Sequence, residues 1–286
     1  VARIPLGGLL GVLLTAAAAV VLFGSVRWRA HTRNLRAELA ASAAGAAPKT
    51  FDVRELEGLP APVQRYFHVA LHAGQQVVES ARLATEGEFL MDAEKKTWAR
   101  FTADQVFVAR PPGFDWDARI RMAPGLAIFV RDAYRGGAGL LRADVLGVVT
   151  VADQAPSPEL ARGELLRWLA EAVWCPTALL PRHGLRWEAV GDDRARATIE
   201  DRGVVASVEF RFGGDGLVTS VFALDRPRTV GASNVPTPWE GTWTAYSPRN
   251  GMHVPSAGEV SWVLPEGRLP YWRGRVKSVV YTFASP

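Results

Sequence analysis

ASVEFRF, residues 206–212, alternates without a break: Ala206, Val208, Phe210 and Phe212 are apolar, and Ser207, Glu209 and Arg211 between them are polar. Successive side chains of a strand point to opposite faces, so a period of two predicts a strand with one face in a core and one in water. Residues 259–264 repeat the pattern, with Val260, Trp262 and Leu264 set against Glu259 and Ser261. Turn signals stand between such runs, at Gly136-Gly137, Asp192-Asp193, Arg202-Gly203, residues 213–216, Asn250-Gly251 and Glu266-Gly267. Asn-Gly is the strongest, because both residues tolerate the positive φ of a two-residue hairpin turn. The pattern predicts about ten strands, most joined as antiparallel hairpins.

One segment breaks that rhythm. Ser157-Pro158 reads as an N-cap and first turn, and Leu165, Leu169 and Val173 recur every fourth residue until Pro176. This predicts a helix of about 17 residues with one apolar face. A sheet of about ten strands curls instead of lying flat. The expected fold is therefore α+β, mainly antiparallel β: a strongly curved or unclosed barrel-like sheet with the helix packed on its concave face, preceded by one transmembrane helix. There is no fixed-period repeat and no second composition zone, so residues 51–286 are expected to form a single β-rich domain. Residues 1–39 read as a transmembrane anchor and membrane-proximal helix, and the Ala/Gly/Pro-rich residues 40–50 as a tether.

The anchor rests on residues 4–26, IPLGGLLGVLLTAAAAVVLFGSV, which carry no charge. At 1.5 Å per residue such a helix crosses a hydrocarbon core of about 30 Å. Ala16 to Ala19 offer a small-residue cleavage site, yet the run is longer than the ~7–15 residues of a signal-peptide core and stops at an arginine cluster. An uncleaved anchor in the cell membrane is expected, with the lipid bilayer as partner. Arg27, Arg29, Arg33 and Arg36 follow the run and only Arg3 precedes it, which favours a cytoplasmic soluble domain. The same arginines, with Lys49, account for the net charge of +4 and leave the rest of the chain close to neutral. No basic stripe remains to recruit a nucleic acid.

Residues that could carry chemistry are few. Cys175, the single cysteine, ends the expected helix between Trp174 and Pro176. A helix C-terminus works against a thiolate, and the spacing to His183 matches no nucleophile signature, so Cys175 reads as a small buried hydrophobe. His68 and His72 are four apart on a short helical segment, but a metal site needs further ligands, and His31, His183 and His253 are scattered. Asp115, Asp117, Arg119 and Arg121 share one face of a regular strand, which makes a charge-paired face the expected role. No catalytic residue, metal or cofactor is indicated.

Tryptophan is the excess: ten are present, nine of them after residue 50. Indoles under one bent sheet build core, and they also line cavities, since each offers a large apolar face and one donor. Trp116, Trp174, Trp239 and Trp272 are the expected cavity or rim residues, with Glu240 and Arg273 as polar groups for a ligand's head; alternatively these two pair across strands. The function this favours is a non-enzymatic, membrane-anchored binding protein for a lipid or other hydrophobic ligand. The alternatives are a hydrolase of a membrane-derived substrate using Asp115, Glu240 or His253, and a protein-interaction scaffold at the membrane.

WLAEAVWCPTALLP, LRWEAV, VPTPWEGTW and GMHVPSAGEVSWVLPEGRLPYWRGRV, with PPGFDWDARIRMAPG and LLRADVLGVV before them, resemble an uncharacterised bacterial family of membrane-anchored proteins, domain of unknown function 6544. The resemblance spans about residues 51–283 and implies no activity; its pattern commonly has an aromatic where this chain has Cys175. A remoter, architectural likeness is to the envelope lipoprotein-carrier (LolA/LolB-like) proteins. That likeness implies an unclosed antiparallel barrel whose helices plug an apolar cavity. Those carriers work outside the cytoplasm, against the arginine count.

Overall fold

The computed structural model describes residues 6–43, 49–231 and 233–284, the side chains of 6–10 and of His183 aside. A helix α1, Leu6–Ser42, comes first. By length and composition it is long and apolar enough to cross a membrane. Of the expected tether, residues 40–42 belong to α1 and 44–48 lie outside the described residues. After a 3₁₀ turn at Val53–Leu56, the short helix α2, Ala61–Ala70, buries Val63, Tyr66 and Phe67. It ends before His72, so that residue is not on the helix face of His68.

Thirteen strands follow, where about ten were expected. The N-terminal half holds β1 (Val78–Asp92), β2 (Thr97–Val108), β3 (Gly113–Ala123), β4 (Leu126–Arg135), β5 (Ala138–Val145) and β6 (Val149–Asp153). The C-terminal half holds β7 (Arg186–Gly191), β8 (Arg194–Asp201), β9 (Val204–Phe212), β10 (Val218–Val230), β11 (Ser233–Arg249), β12 (Met252–Leu264) and β13 (Gly267–Phe283). All pairings are antiparallel. The extra strands lie mostly in the N-terminal half, where turns such as Lys95-Lys96 and Leu146-Gly147 carry weaker signals than Asn250-Gly251. At the latter, φ is +50° and +82°, as a tight hairpin needs.

The strands run in one sheet, β6-β5-β4-β3-β2-β1-β13-β12-β11-β10-β9-β8-β7. β1 and β13 join two wings at its centre, and β6 and β7 are free edges, so the curved sheet does not close. The chain passes between the edges through α3, Pro158–Glu171, followed by 3₁₀ turns up to His183. Ser157 caps α3, its hydroxyl accepting from the Leu160 N–H. The α-helix has 14 residues, shorter than expected, because the chain tightens into 3₁₀ geometry at Ala172–Trp174 before Pro176. α3 packs against β3, β4 and β5 of one wing and β9 and β10 of the other. Trp168 anchors it, stacked on Phe107 at 5.4 Å and donating its indole N–H to the Val108 carbonyl at 2.9 Å.

The face of the sheet away from α3 is covered over β2–β5 by the C-terminal half of α1. Asp115 and Asp117 of β3 do form the charge-paired face, but their partners include residues of α1. Arg36 donates to Asp115 at 2.6 Å and also pairs with Asp104, while Trp28 and Thr32 donate to Asp117 at 2.8 and 3.0 Å.

Candidate functional site

Beside α3 the sheet holds a partly open cavity of about 210 Å³. One wall is aromatic, built from Trp116, Trp239, Trp243, Trp262, Tyr271 and Trp272. Strand alternation alone would not place Tyr271 and Trp272, which are adjacent, on one wall. The β12–β13 register slips between Val260 and Ser261, and the resulting bulge aims both rings inward. Tyr271 stacks on Trp262 at 5.6 Å, and its hydroxyl accepts the Trp239 indole N–H at 2.9 Å.

The cavity also has a charged lining. Asp132 of β4 and Glu164, Arg167 and Glu171 of α3 form it together with Arg226 of β10. A second register shift, between Ala223 and Arg226, turns Arg226 inward, where its guanidinium sits 4.6 Å above the Trp239 ring. Arg167 donates to Glu171 at 2.8 Å and to Asp132 at 2.7 Å, and Gln105 donates to Glu171 at 2.6 Å. Three buried polar atoms around the cavity have no hydrogen-bond partner among the described residues: Glu164 Oε2, Asp132 Oδ1 and the Trp243 indole nitrogen. Burial, and next the neighbouring Asp132, push the Glu164 carboxyl up to about 8, with Arg226 and Arg167 pulling the other way. At neutral pH Glu164 is therefore largely protonated and can donate as well as accept.

The mouth lies between the two wings. Gln154, beyond β6, donates to Thr229 of β10 at 3.1 Å, and Arg162 of α3 pairs with Asp225 at 2.6 Å. A larger hollow of about 1230 Å³ lies on the other face, a more open groove where charged side chains alternate with Phe101, Leu126 and Phe129. Its Arg273 and Arg275 already pair with Glu88 and Glu86, at 3.0 and 3.1 Å. The aromatic cavity, with its unpartnered polar atoms, is the candidate site.

Of the residues singled out from the sequence, Trp116, Trp239 and Trp272 line this cavity. Trp174 stands one layer back, edge-on to Trp243 at 5.1 Å. Glu240 and Arg273 do not face it: each follows an inward tryptophan and so points to the other side. They do not pair with each other either, since Glu240 meets Arg268 at 3.2 Å and Arg273 meets Glu88. The polar groups of the cavity, Asp132, Glu164, Arg167 and Arg226, were not singled out. Glu164 could have been, as an acid on the apolar stripe of α3 between Leu160 and Trp168.

The three hydrolase candidates lie apart. Asp115 is fully buried between Arg36 and Arg131, Glu240 pairs with Arg268, and His253 Nδ1 faces the Val69 carbonyl at 3.1 Å. Cys175 is fully buried, and burial pushes its thiol up, away from the thiolate a nucleophile requires. The side chain of His183 lies outside the described residues.

Residues 57–281 match the model of a family of unknown function, DUF6920, which corrects the family number 6544 drawn from the sequence motifs. No curated protein matches the chain. Among solved structures, a LolA superfamily protein from Nitrosomonas europaea aligns at 9% identity and a TM-score of 0.39, covering 79% of this chain and 94% of that one. A putative outer membrane lipoprotein-sorting protein domain from Vibrio parahaemolyticus aligns at 8% and 0.38, covering 72% and 87%. A DUF1329 family protein from Desulfovibrio piger aligns at 9% and 0.39, covering 73% and 88%.

Proposed function

The chain belongs to the DUF6920 family, and from that premise we propose that it is a membrane-anchored, non-enzymatic binding protein for a lipid or similar hydrophobic molecule. The observation that carries this reading is the pairing of an indole-walled cavity with buried polar atoms that have no partner among the described residues. A ligand's apolar part packs against Trp116, Trp239 and Trp272, and its polar end meets Glu164 and Arg226. At about 210 Å³ the cavity falls below the ~300–1,000 Å³ of drug-sized sites. It suits one chain segment and not a whole phospholipid. In this reading α3 plugs the concave side of the sheet, α1 is the anchor, and the arginines after its apolar run hold the domain on the cytoplasmic face. Protection from added protease in intact spheroplasts supports that placement, and digestion reverses it.

Gly163 supplies the test. It lines the cavity, and a Cβ added there would meet nothing within 4 Å. Gly163→Leu fills the space from a helix position where loss of glycine itself gains about 0.5–1 kcal/mol. Native mass spectrometry of the full chain in nanodiscs should show a bound apolar molecule on the wild type and none on Gly163→Leu, with the unfolding midpoint unchanged or raised. Equal occupancy of both proteins, or no apolar ligand on either, counts against the reading.

A further inference from the structure

The C-terminal half of α1 touches the sheet at a spacing that leaves no slack. Leu39 lies beside Gly113, Arg36 meets Asp115, Thr32 and Trp28 meet Asp117, and Trp28 packs edge-on against Phe129 at 5.7 Å. One helical turn further on, Gly24 abuts Gly147; a Cβ on Gly24 would come within 2.7 Å of the Gly147 carbonyl oxygen. Contacts at 24, 28, 32, 36 and 39 form one stripe of a helix, so α1 is mounted on the domain along a line antiparallel to β3.

That line carries two hairpin tips with it. From Phe129 back to Leu126 is three strand residues, about 10 Å. The same distance along α1 from Trp28 is about seven residues, which reaches Val21 inside the uncharged run. The β3–β4 turn thus stands level with the apolar half of the helix, and the β5–β6 turn, at Gly147, stands level with Gly24. Both tips expose large apolar side chains: Met122 is 45% exposed, Leu126 40% and Val149 59%. Behind them comes a belt of arginines. Arg119 stacks on Phe129 at 3.9 Å next to Trp28 and pairs with Asp117, Arg27 is exposed while reaching Asp144 at 3.5 Å, and Arg121 is exposed. Apolar tips followed by a zone that mixes an indole with guanidinium groups is the chemistry of a bilayer surface and its head groups.

We infer that the β3–β4 and β5–β6 hairpin tips rest in the membrane–water interface beside α1, holding the domain in one fixed orientation on the bilayer. This rests on α1 being a membrane anchor. The occupant of the exposed apolar patch is the lipid surface itself, because the patch is continuous with the uncharged helix.

The full chain is reconstituted into vesicles of phosphatidylcholine and phosphatidylglycerol, carrying one environment-sensitive fluorophore on an introduced cysteine. Native Cys175 is fully buried and does not compete for the label. The sites are Leu126→Cys and Val149→Cys on the tips, Leu22→Cys on α1, and Val280→Cys on β13, where the side chain is 67% exposed. The expected result is quenching of the tip and helix labels by lipids bearing a shallow spin label, with several-fold protection from aqueous iodide relative to Val280→Cys. Tip labels as open to iodide as Val280→Cys, with the Leu22→Cys label still quenched from the lipid, overturn the inference and leave the anchor standing. An iodide-accessible Leu22→Cys label overturns both.

Discussion

Glu164 is the side chain on which the cavity's chemistry turns. Its folded-state value of about 8 lies above the ordinary 4.5, so the folded protein holds this proton more tightly than the unfolded chain does. The stabilising contribution is complete below pH 4.5 and is lost as pH rises through about 8, where the carboxylate becomes a buried charge. Glu164→Gln should therefore match the wild type near pH 4.5 and exceed it at pH 9 by an amount on the order of a few kcal/mol, read from urea unfolding midpoints across that range. Glu164 stands out in the sequence only by its place on the apolar stripe of α3, and Arg226 looks like an ordinary surface charge. Arg226 faces inward only because β10 is bulged before it, and a bulge leaves no mark in composition or periodicity. The tryptophans were easier to place, since Trp239 sits in a run whose alternation is visible. The same alternation puts Glu240 on the far face, so choosing both for one ligand was inconsistent with period two.

At the scale of elements, α1 departs furthest from expectation. Its sequence after residue 26 reads as a charged continuation leading to a loose tether, yet Arg36 is bound into a buried cluster with Asp115 and Asp104. Burial first, and the neighbouring Asp117, raise the Asp115 carboxyl, and Arg36 and Arg131 offset that in part. Removing one partner of a buried pair costs about 3–5 kcal/mol, because the other charge stays buried. Arg36→Met should lower stability by that order in chemical denaturation, while Arg33→Met, on the exposed side of the helix, should change it by less than about 0.5 kcal/mol. The close approach at Gly24 gives a second check. Gly24→Leu should pry the helix from the β5–β6 turn and speed proteolysis between α1 and β1 several-fold, with the β-sheet signal in circular dichroism retained. None of this was legible beforehand, because which strand face a distant helix covers depends on the folded path of the chain. What could be read was the evenness of Asp115, Asp117 and Arg119, which marked that face as charge-paired before its partners were known.

For the molecule as a whole, the free edges β6 and β7 make the sheet an open wrap, and the cavity mouth lies where the wings meet over α3. The Gln154–Thr229 hydrogen bond spans that seam. Losing one such exposed bond costs about 0.5–1.5 kcal/mol, so Gln154→Ala should be only mildly destabilised. Its effect should fall instead on exchange: release of a bound fluorescent fatty acid, followed by stopped flow, should quicken several-fold, and an unchanged rate would place the ligand's exit elsewhere. The curved antiparallel architecture was legible from local alternation. The number of strands was not, because N-terminal turns such as Lys95-Lys96 lack the signal of Asn250-Gly251. The pairing of β1 with β13 has a further consequence during synthesis. Val78 lies opposite Phe283, so the central ladder cannot zip until β13 has left the ribosome. Contacts so remote in sequence make for slow folding, and they leave the inner edge of β1 waiting without its neighbour. By then α1 has long since emerged, and if it is already in the bilayer, the final strand is added to a protein whose first half is held at the membrane surface.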